Sequence, residues 1–164
     1  MTMYYTGIGS RETPKDILAV MTKLATVLEH KGYILRTGDA KGADAAFRAG
    51  CSNKQVYTIK SLSEISEEMY DICYNDLVTL HPNVNAVMRK PWAKEYLMRD
   101  SLQIRGNHPN DTLSHFVVCW TKDAGLNGGT AQAIRLANKL GVEIYNLANP
   151  TTLQEIVEYI NANI

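Results

Sequence analysis

Three times along this chain, a short apolar run ends in a glycine-bearing turn that opens a helical pattern. The apolar runs are residues 3–5, 33–35 and 116–120. Strands that alternate with helices predict a parallel sheet, because each parallel crossover needs a long connection that is usually helical. The carboxyl ends of parallel strands lie at one edge of the sheet, where ligands bind. The three turns are therefore expected to meet at that edge.

The rest of the chain completes the pattern. Strands are predicted at residues 4–8, 33–36, 55–59, 115–120 and 142–146. Helices are predicted at residues 14–30, 43–49, 95–104, 130–140 and 151–160. A chain of 164 residues, 45% of them apolar, fits a single domain with a normal core. We expect an α/β, Rossmann-like, doubly wound domain over residues 1–164, with a mainly parallel five-stranded sheet and helices on both faces.

Residues 60–94 interrupt this alternation. The segment is rich in Ser, Glu, Tyr and Asn, and its residues 66–80 have a helical pattern. It is either an insertion packed over one edge of the sheet or a functional lid or dimer contact, because long connections in compact domains often carry function. The sequence leaves both interpretations open.

Composition excludes several classes of function. Seventeen basic residues balance seventeen acidic ones, which argues against a general polyanion binder and leaves room for a local basic patch. The N-terminus lacks the features of a secretion signal and no apolar run approaches spanning length, so we expect no membrane partner. Three cysteines without a close pair fit structural thiols in a reducing, cytoplasmic compartment. The four histidines lack a ligand spacing, so we expect neither a metal nor another cofactor.

The first turn contains Gly7, Gly9, Ser10 and Arg11. Glycines let backbone approach a ligand, and the hydroxyl and forked guanidinium beside them suit a phosphate group. The third glycine of a dinucleotide-binding fingerprint is absent. The alternative is a tight turn in which Ser10 is a cap and Arg11 is solvated.

The second turn gathers Thr37, Gly38, Lys41, Gly42 and Asp44 at the start of a helix. Its glycines again allow close backbone approach, while no Gly-Lys-Ser/Thr follows at the spacing of a nucleotide-hydrolysing P-loop. Hydrolysis of ATP is therefore not expected. The Asp44 carboxylate either caps the helix, the simpler explanation, or binds a sugar hydroxyl.

The third turn, Asn127, Gly128, Gly129 and Thr130, opens a helix with small residues and a hydroxyl. This composition is typical of a phosphate bound at a helix N-terminus. A plain loop is the alternative. Three such turns at one edge of the sheet predict a pocket for a phosphorylated small molecule, with a nucleotide as the leading candidate.

Arginine and tryptophan side chains add candidates outside the turns. Arg99 and Arg105 lie on the helix before the fourth strand, where each is either solvated or turned towards the ligand. Trp92 and Trp120 either stack on a base or pack in the core.

Together, residues 5–11, 37–44 and 128–130 resemble the SLOG superfamily, and most closely its small DprA/Smf-like or YspA-like members. Bacteria and their phages often carry such proteins. The resemblance covers nearly the whole chain apart from about residues 60–90. It implies a Rossmann-like fold whose glycine turns line a nucleotide pocket, and it implies a homo-oligomer, because related proteins often dimerise.

The related LOG enzymes hydrolyse the N-glycosidic bond of nucleoside 5′-monophosphates. Their signature is Pro-Gly-Gly-x-Gly-Thr-x-x-Glu, with an arginine on the preceding helix. Gly128, Gly129 and Thr130 match this signature in part, and Arg99 resembles the arginine. The glutamate is absent, because Ala-Gln-Ala follows Thr130.

A carboxylate normally stabilises the oxocarbenium-like transition state of glycoside cleavage. LOG-type catalysis by this chain would therefore need Asp44, Asp39 or Glu12 as a substitute, with Arg99 and Asp44 as the candidate catalytic pair.

The resemblance leaves three functions open. The leading expectation is a protein that senses or sequesters a phosphorylated nucleotide-derived ligand, such as a defence signal. The alternatives are a nucleotide N-glycosidase and a DprA-like protein that binds single-stranded DNA. Overall neutrality argues against strong, salt-sensitive DNA binding.

Overall fold

The computed structural model describes residues 2–164, which contain a five-stranded sheet in the order β3-β2-β1-β4-β5. The strands are β1 (Met3–Gly7), β2 (Tyr33–Gly38), β3 (Lys54–Tyr57), β4 (Phe116–Cys119) and β5 (Glu143–Asn146). All neighbouring strands are parallel. The chain runs outward from β1 to β3 and then crosses to β4 on the other side of β1. The doubly wound α/β fold predicted from the sequence is confirmed.

The helices are α1 (Lys15–His30), α2 (Ala43–Ala49), α3 (Glu67–Leu80), α4 (Val84–Met88), α5 (Pro91–Arg105), α6 (Thr130–Lys139) and α7 (Pro150–Ala162). Proline occupies the first turn of α5 and α7, where its missing N–H costs no hydrogen bond. Asn149 also caps α7, because its side-chain oxygen accepts the N–H groups of Thr151 and Thr152. Within residues 2–164, no helix is both long and apolar enough to cross a membrane.

Alternation along the strands divides the core between the two faces of the sheet. Val118 packs with α1, α2 and α7 on one face. Its neighbours Val117 and Cys119 pack with α6 and the end of α5 on the other. Successive strand side chains point to opposite faces, so β4 contributes to both layers.

Helix α3 forms an outer layer over α5 and α6. It buries Met69, Cys73 and Leu77 in a third apolar cluster with Met98 and Leu102 of α5. The helix predicted at residues 66–80 is therefore present, but it lies on other helices rather than over an edge of the sheet. The lid and dimer-contact interpretations of residues 60–94 stay predictions.

Two glycines of the predicted turns are the last residues of strands: Gly7, which also fell within the predicted strand 4–8, and Gly38, which did not fall within a predicted strand. Gly7 pairs with Val118 between β1 and β4, and Gly38 pairs with Tyr57 between β2 and β3. Strand β2 was expected to end at residue 36. The ladder to β3 extends it by two residues, because tertiary pairing outweighs the weak strand preference of glycine.

Candidate functional site

A cleft of about 560 Å³, here called the main cleft, lies at the carboxyl edge of the sheet beside the ends of β1 and β4. The chain continues from β1 to β2 on one side, whereas β4 lies on the other side of β1. This is the topological switch point at which α/β sheets bind ligands. The first and third turns and the start of α5 form its walls. Its lining residues are Gly9, Ser10, Arg11, Glu12, Ala40, Trp92, Tyr96, Thr121, Lys122, Asn127, Gly128, Gly129 and Thr130.

A second cleft of about 570 Å³, here called the side cleft, adjoins the main cleft on the side of the second turn. The two clefts share Arg11, Ala40 and Tyr96 as a common wall. The side cleft is lined further by Asp39, Lys41, Thr58, Ile59 and Lys60. Three of its lining side chains are cationic and one is anionic, so its walls carry net positive charge.

Ser10 holds the first turn together. Its backbone N–H donates to the Trp120 carbonyl at 3.1 Å, and its Oγ accepts the Glu12 N–H at 3.0 Å. Ser10 therefore stabilises the tight turn but does not cap α1, whose N-cap residue is Pro14 without a side-chain cap in the described chain. Arg11 is exposed at the junction of the two clefts, and Glu12 lines the main cleft.

Gly9 and Gly42 let two segments of the chain meet. A Cβ built on Gly9 would lie 2.7 Å from Ala43 Cβ and 3.0 Å from the Trp120 carbonyl oxygen. Gly42 has φ +77°, and a Cβ there would lie 2.8 Å from the Ser10 carbonyl oxygen. The close approach observed here is between the first turn and the start of α2, whereas the sequence pattern predicted an approach of backbone to a ligand. The backbone of Gly9 still lines the main cleft.

The second turn divides between interior and surface. The buried Thr37 hydroxyl donates to the Gly7 carbonyl, and the Gly38 carbonyl accepts from Arg48. Lys41 is exposed and lines the side cleft. Thr37 and Gly38 therefore stabilise the carboxyl ends of β1 and β2, whereas Lys41 is available to a ligand.

Asp44 is buried, and within residues 2–164 no side chain caps α2. The prediction that Asp44 caps this helix is therefore wrong. Its Oδ2 accepts the Ala40 N–H at 3.3 Å. Burial raises the pKa of Asp44 to about 6, although Arg99 and the backbone N–H groups of Ala40 and Gly9 favour the charged form.

The third turn brings the start of α6 to the main cleft. In residues 2–164, no side chain caps this helix, whose first residue is Thr130. The Ala131 N–H donates to the Gly128 carbonyl at 3.3 Å, and the residues at the positive end of the helix dipole, Gly129 and Thr130, line the cleft. Gly128 has φ +88° and open space in front of it, and a Cβ on Gly129 would meet the Tyr96 ring at 2.9 Å.

Arg99 lies beneath the main cleft and is almost completely buried. Its Nη1 donates to the Tyr57 carbonyl at 3.0 Å and to Asp39 Oδ1 at 3.3 Å. Its Nε lies 3.5 Å from Asp100 Oδ1, and the Tyr96 ring stacks 4.5 Å from the guanidinium. Burial alone would lower the pKa of Arg99, but the neighbouring acidic groups outweigh it and raise the pKa, so the guanidinium stays charged.

Asp100 is the residue that sequence reasoning missed. It is 2% exposed, and burial raises its pKa to about 7; Arg99 opposes this rise and Asp44 adds to it. The backbone N–H of Ala133 in α6 also favours the charged form. Asp44, Arg99 and Asp100 together form what we call the charge cluster. An Arg-Asp pair between the apolar residues of α5 was the available signal.

A cavity of about 10 Å³, here called the floor cavity, lies between the charge cluster and the main cleft. It shares four lining residues with the main cleft: Gly9, Tyr96, Gly129 and Thr130. Its other lining residues are Ile8, Asp44, Arg99, Asp100 and Gln103. The buried carboxylates are therefore separated from the cleft only by a thin wall.

The remaining candidate residues differ in whether they face a cleft or hold the fold together. Trp92 is 67% exposed on the wall of the main cleft, whereas Trp120 packs against the core under α1 and α2. Arg105 forms a two-pronged pair with Asp76 of α3, at 2.8 and 2.9 Å, and so fastens the outer helix. Trp92 is available for stacking; Trp120 and Arg105 are structural.

Gln132 lies in α6, next to the position at which the LOG signature has its glutamate. It is buried, donates to the Asp76 carbonyl and accepts from Arg135. Across residues 2–164, there is no group of three or more His, Cys, Asp or Glu arranged to hold a metal ion.

Comparison with family models, with curated proteins and with solved structures gives no match. The function is therefore inferred from the clefts and the charge cluster themselves.

Proposed function

We propose that this protein binds a phosphorylated nucleotide-derived ligand in the main cleft and acts by sensing or sequestering it. The observation that carries the proposal is the uncapped N-terminus of α6, which opens onto a cleft that Arg11 and Lys122 also line. Backbone N–H groups, the helix dipole and two cations favour an anion in this cleft, and only the Glu12 carboxylate among its lining side chains opposes it.

The dimensions of the main cleft support a ligand of nucleotide size. Its volume of about 560 Å³ falls within the range of ordinary small-molecule pockets. The exposed Trp92 ring offers a stacking surface for a base on the same wall. We therefore place the phosphate at the start of α6 and the base against Trp92.

A nucleotide N-glycosidase is the second candidate, favoured by the two buried carboxylates beneath the cleft. Asp44 and Asp100 both line the floor cavity, within reach of a ligand that enters it. A carboxylate there would stabilise positive charge on a sugar carbon. Incubation with ribo- and deoxyribonucleoside 5′-monophosphates, followed by chromatography for free base, separates this candidate from binding without turnover.

Binding of single-stranded DNA is supported only by the side cleft. Arg11, Lys41 and Lys60 line it, and it continues the main cleft past Tyr96. A strand bound through both clefts would show steeply salt-dependent affinity. Replacing any one of these cations by alanine would then make the salt dependence less steep, because fewer counterions are released on binding.

Native mass spectrometry of the purified protein tests the leading proposal, with calorimetry against the common nucleoside 5′-monophosphates. A retained nucleotide, or micromolar binding without turnover, supports it. Failure of the protein to retain or bind any nucleotide contradicts it.

A further inference from the structure

Two neighbouring residues of α5 bury polar atoms that stay unpaired. Asp100 Oδ2 and Arg99 Nε have no hydrogen-bond partner anywhere in the described chain. Both side chains are 2% exposed. Unpaired buried polar atoms are rare in folded proteins, and each costs free energy unless a ligand or water pairs it.

The floor cavity borders both of these residues. Asp100 and Arg99 both line it, and Gly9 and Gly129 form part of the thin wall that it shares with the main cleft. Its volume of about 10 Å³ matches roughly one water-sized group, so it admits a single oxygen atom and excludes a phosphate.

The size and the hydrogen-bonding groups of the cavity select the kind of group that enters. A phosphate is too large, and the carboxylate oxygens of Asp44 and Asp100 accept a hydrogen bond from a hydroxyl, while Arg99 offsets part of their charge. Asp44 Oδ2 already accepts the Ala40 N–H, whereas Asp100 Oδ2 is a buried carboxylate oxygen without a partner in the described chain. The proposed anion site at the start of α6 adjoins the floor cavity, because Gly129 and Thr130 line both this cavity and the main cleft.

We propose that the floor cavity is a subsite for one sugar hydroxyl, with Asp100 Oδ2 as its acceptor and Arg99 as the group that positions Asp100. This rests on the proposed nucleotide binding and names the ligand class as ribose phosphates. The phosphate binds at the start of α6, and a ribose 2′- or 3′-hydroxyl enters the floor cavity.

Calorimetry of the wild-type protein tests this without any substitution. The probes are AMP, GMP, CMP and UMP, their 2′-deoxy and 3′-deoxy forms, and ribose 5-phosphate. Removal of the recognised hydroxyl is expected to weaken binding about tenfold to a hundredfold, the scale of a charge-assisted hydrogen bond. Equal affinity for ribo- and deoxy forms would overturn the subsite and leave the proposed function standing. Absence of binding by every probe would overturn both.

The variant Asp100→Asn tests whether Asp100 accepts the hydrogen bond of the sugar hydroxyl. It keeps the shape and removes the charge, so the preference for ribo- over deoxynucleotides is expected to fall towards one. Asp71→Asn, at an exposed position of α3, is the matched control and should keep the wild-type preference. An unchanged preference in folded Asp100→Asn would remove Asp100 from the subsite, because a purely structural role would not alter that ratio.

Discussion

Gly38 lies directly against Arg99: a side chain on Gly38 would occupy the position of the Arg99 guanidinium. The same Cβ would lie 2.5 Å from Asp44 Oδ2 and 2.7 Å from Gln103 Nε2. The end of β2 thus provides the flat wall on which the charge cluster packs. A glycine in the second turn is needed for the interior of the site rather than for backbone flexibility.

Gly38→Ala is therefore expected to lower the free energy of unfolding. Overpacking of this kind costs about 1–3 kcal/mol, and the atoms that it displaces are charged and buried. Gly125→Ala is the control, because a Cβ there meets nothing closer than 3.3 Å. Urea denaturation of both variants checks this; equal stability of the two would contradict the packing of Arg99 on Gly38.

Gly129→Val is expected to abolish nucleotide binding in a folded protein. Its Cβ meets only the edge of the Tyr96 ring, which can rotate into the main cleft and narrow it. Gly9→Val should instead destabilise the fold, because its Cβ would meet Ala43 and the Trp120 backbone. Calorimetry combined with thermal unfolding distinguishes the two. Wild-type affinity in Gly129→Val would place the ligand elsewhere.

Arg11→Ala is expected to weaken binding of a nucleoside monophosphate by roughly 1.5–3 kcal/mol, the range of a charge-assisted hydrogen bond. Arg11 is the exposed guanidinium at the junction of the two clefts. Arg89→Ala, at an exposed position after α4, removes the same charge away from the clefts. Equal losses in both variants would indicate a general charge effect and count against a phosphate contact by Arg11.

Stability should fall as the pH rises from about 4 to about 7. Burial raises the pKa of Asp44 to about 6 and of Asp100 to about 7, from an ordinary value of 3.8. In this window the folded protein holds protons that the unfolded chain releases, so a rise in pH favours unfolding. Above about 7 the contribution becomes constant. Arg99 and Arg135 limit the effect, because both favour the charged form of Asp100.

Asp100→Asn should flatten this pH dependence, since the amide does not titrate. The two carboxylates interact, so the wild-type protein is expected to show a shared titration rather than two separate ones. Urea denaturation at pH 5, 6, 7 and 8 gives both profiles. Parallel profiles for the variant and the wild type would show that Asp100 is not the group that titrates.

Trp92 should report on the base. Stacking on an aromatic ring contributes about 1–3 kcal/mol per base, so Trp92→Ala is expected to weaken nucleotide binding by that amount. Quenching of tryptophan fluorescence by the ligand should disappear in Trp92→Phe and persist in Trp120→Phe, because Trp120 packs in the core. Quenching that persists in Trp92→Phe would rule out the proposed position of the base.

The local patterns of the sequence predicted the fold and the edge at which the turns meet. Prolines at helix starts, glycines at helix ends and apolar periodicity are properties of short segments. Strands and helices could therefore be placed within a few residues. The start of α6 at Thr130 matched the prediction. The extra length of β2 did not, because Gly38 is held in the strand by its pairing with Tyr57.

The interior of the site was harder to predict, since it depends on residues far apart in sequence. Gly38 packs on Arg99, and Arg99 donates to the Tyr57 carbonyl of β3. Neither relation follows from the spacing of residues within one segment. The sequence placed Asp44 near the pocket but could not show that tertiary packing, rather than helix capping, occupies it.

Arg11 and Tyr96 are walls of both clefts, so binding in one cleft would be linked to binding in the other wherever a ligand moves either side chain. A ligand that turns the Tyr96 ring in one cleft changes the shape of the other, and by reciprocity the second ligand affects the first equally. Two small molecules, or the two halves of a larger one, would therefore bind with cooperativity that is set by a single aromatic ring.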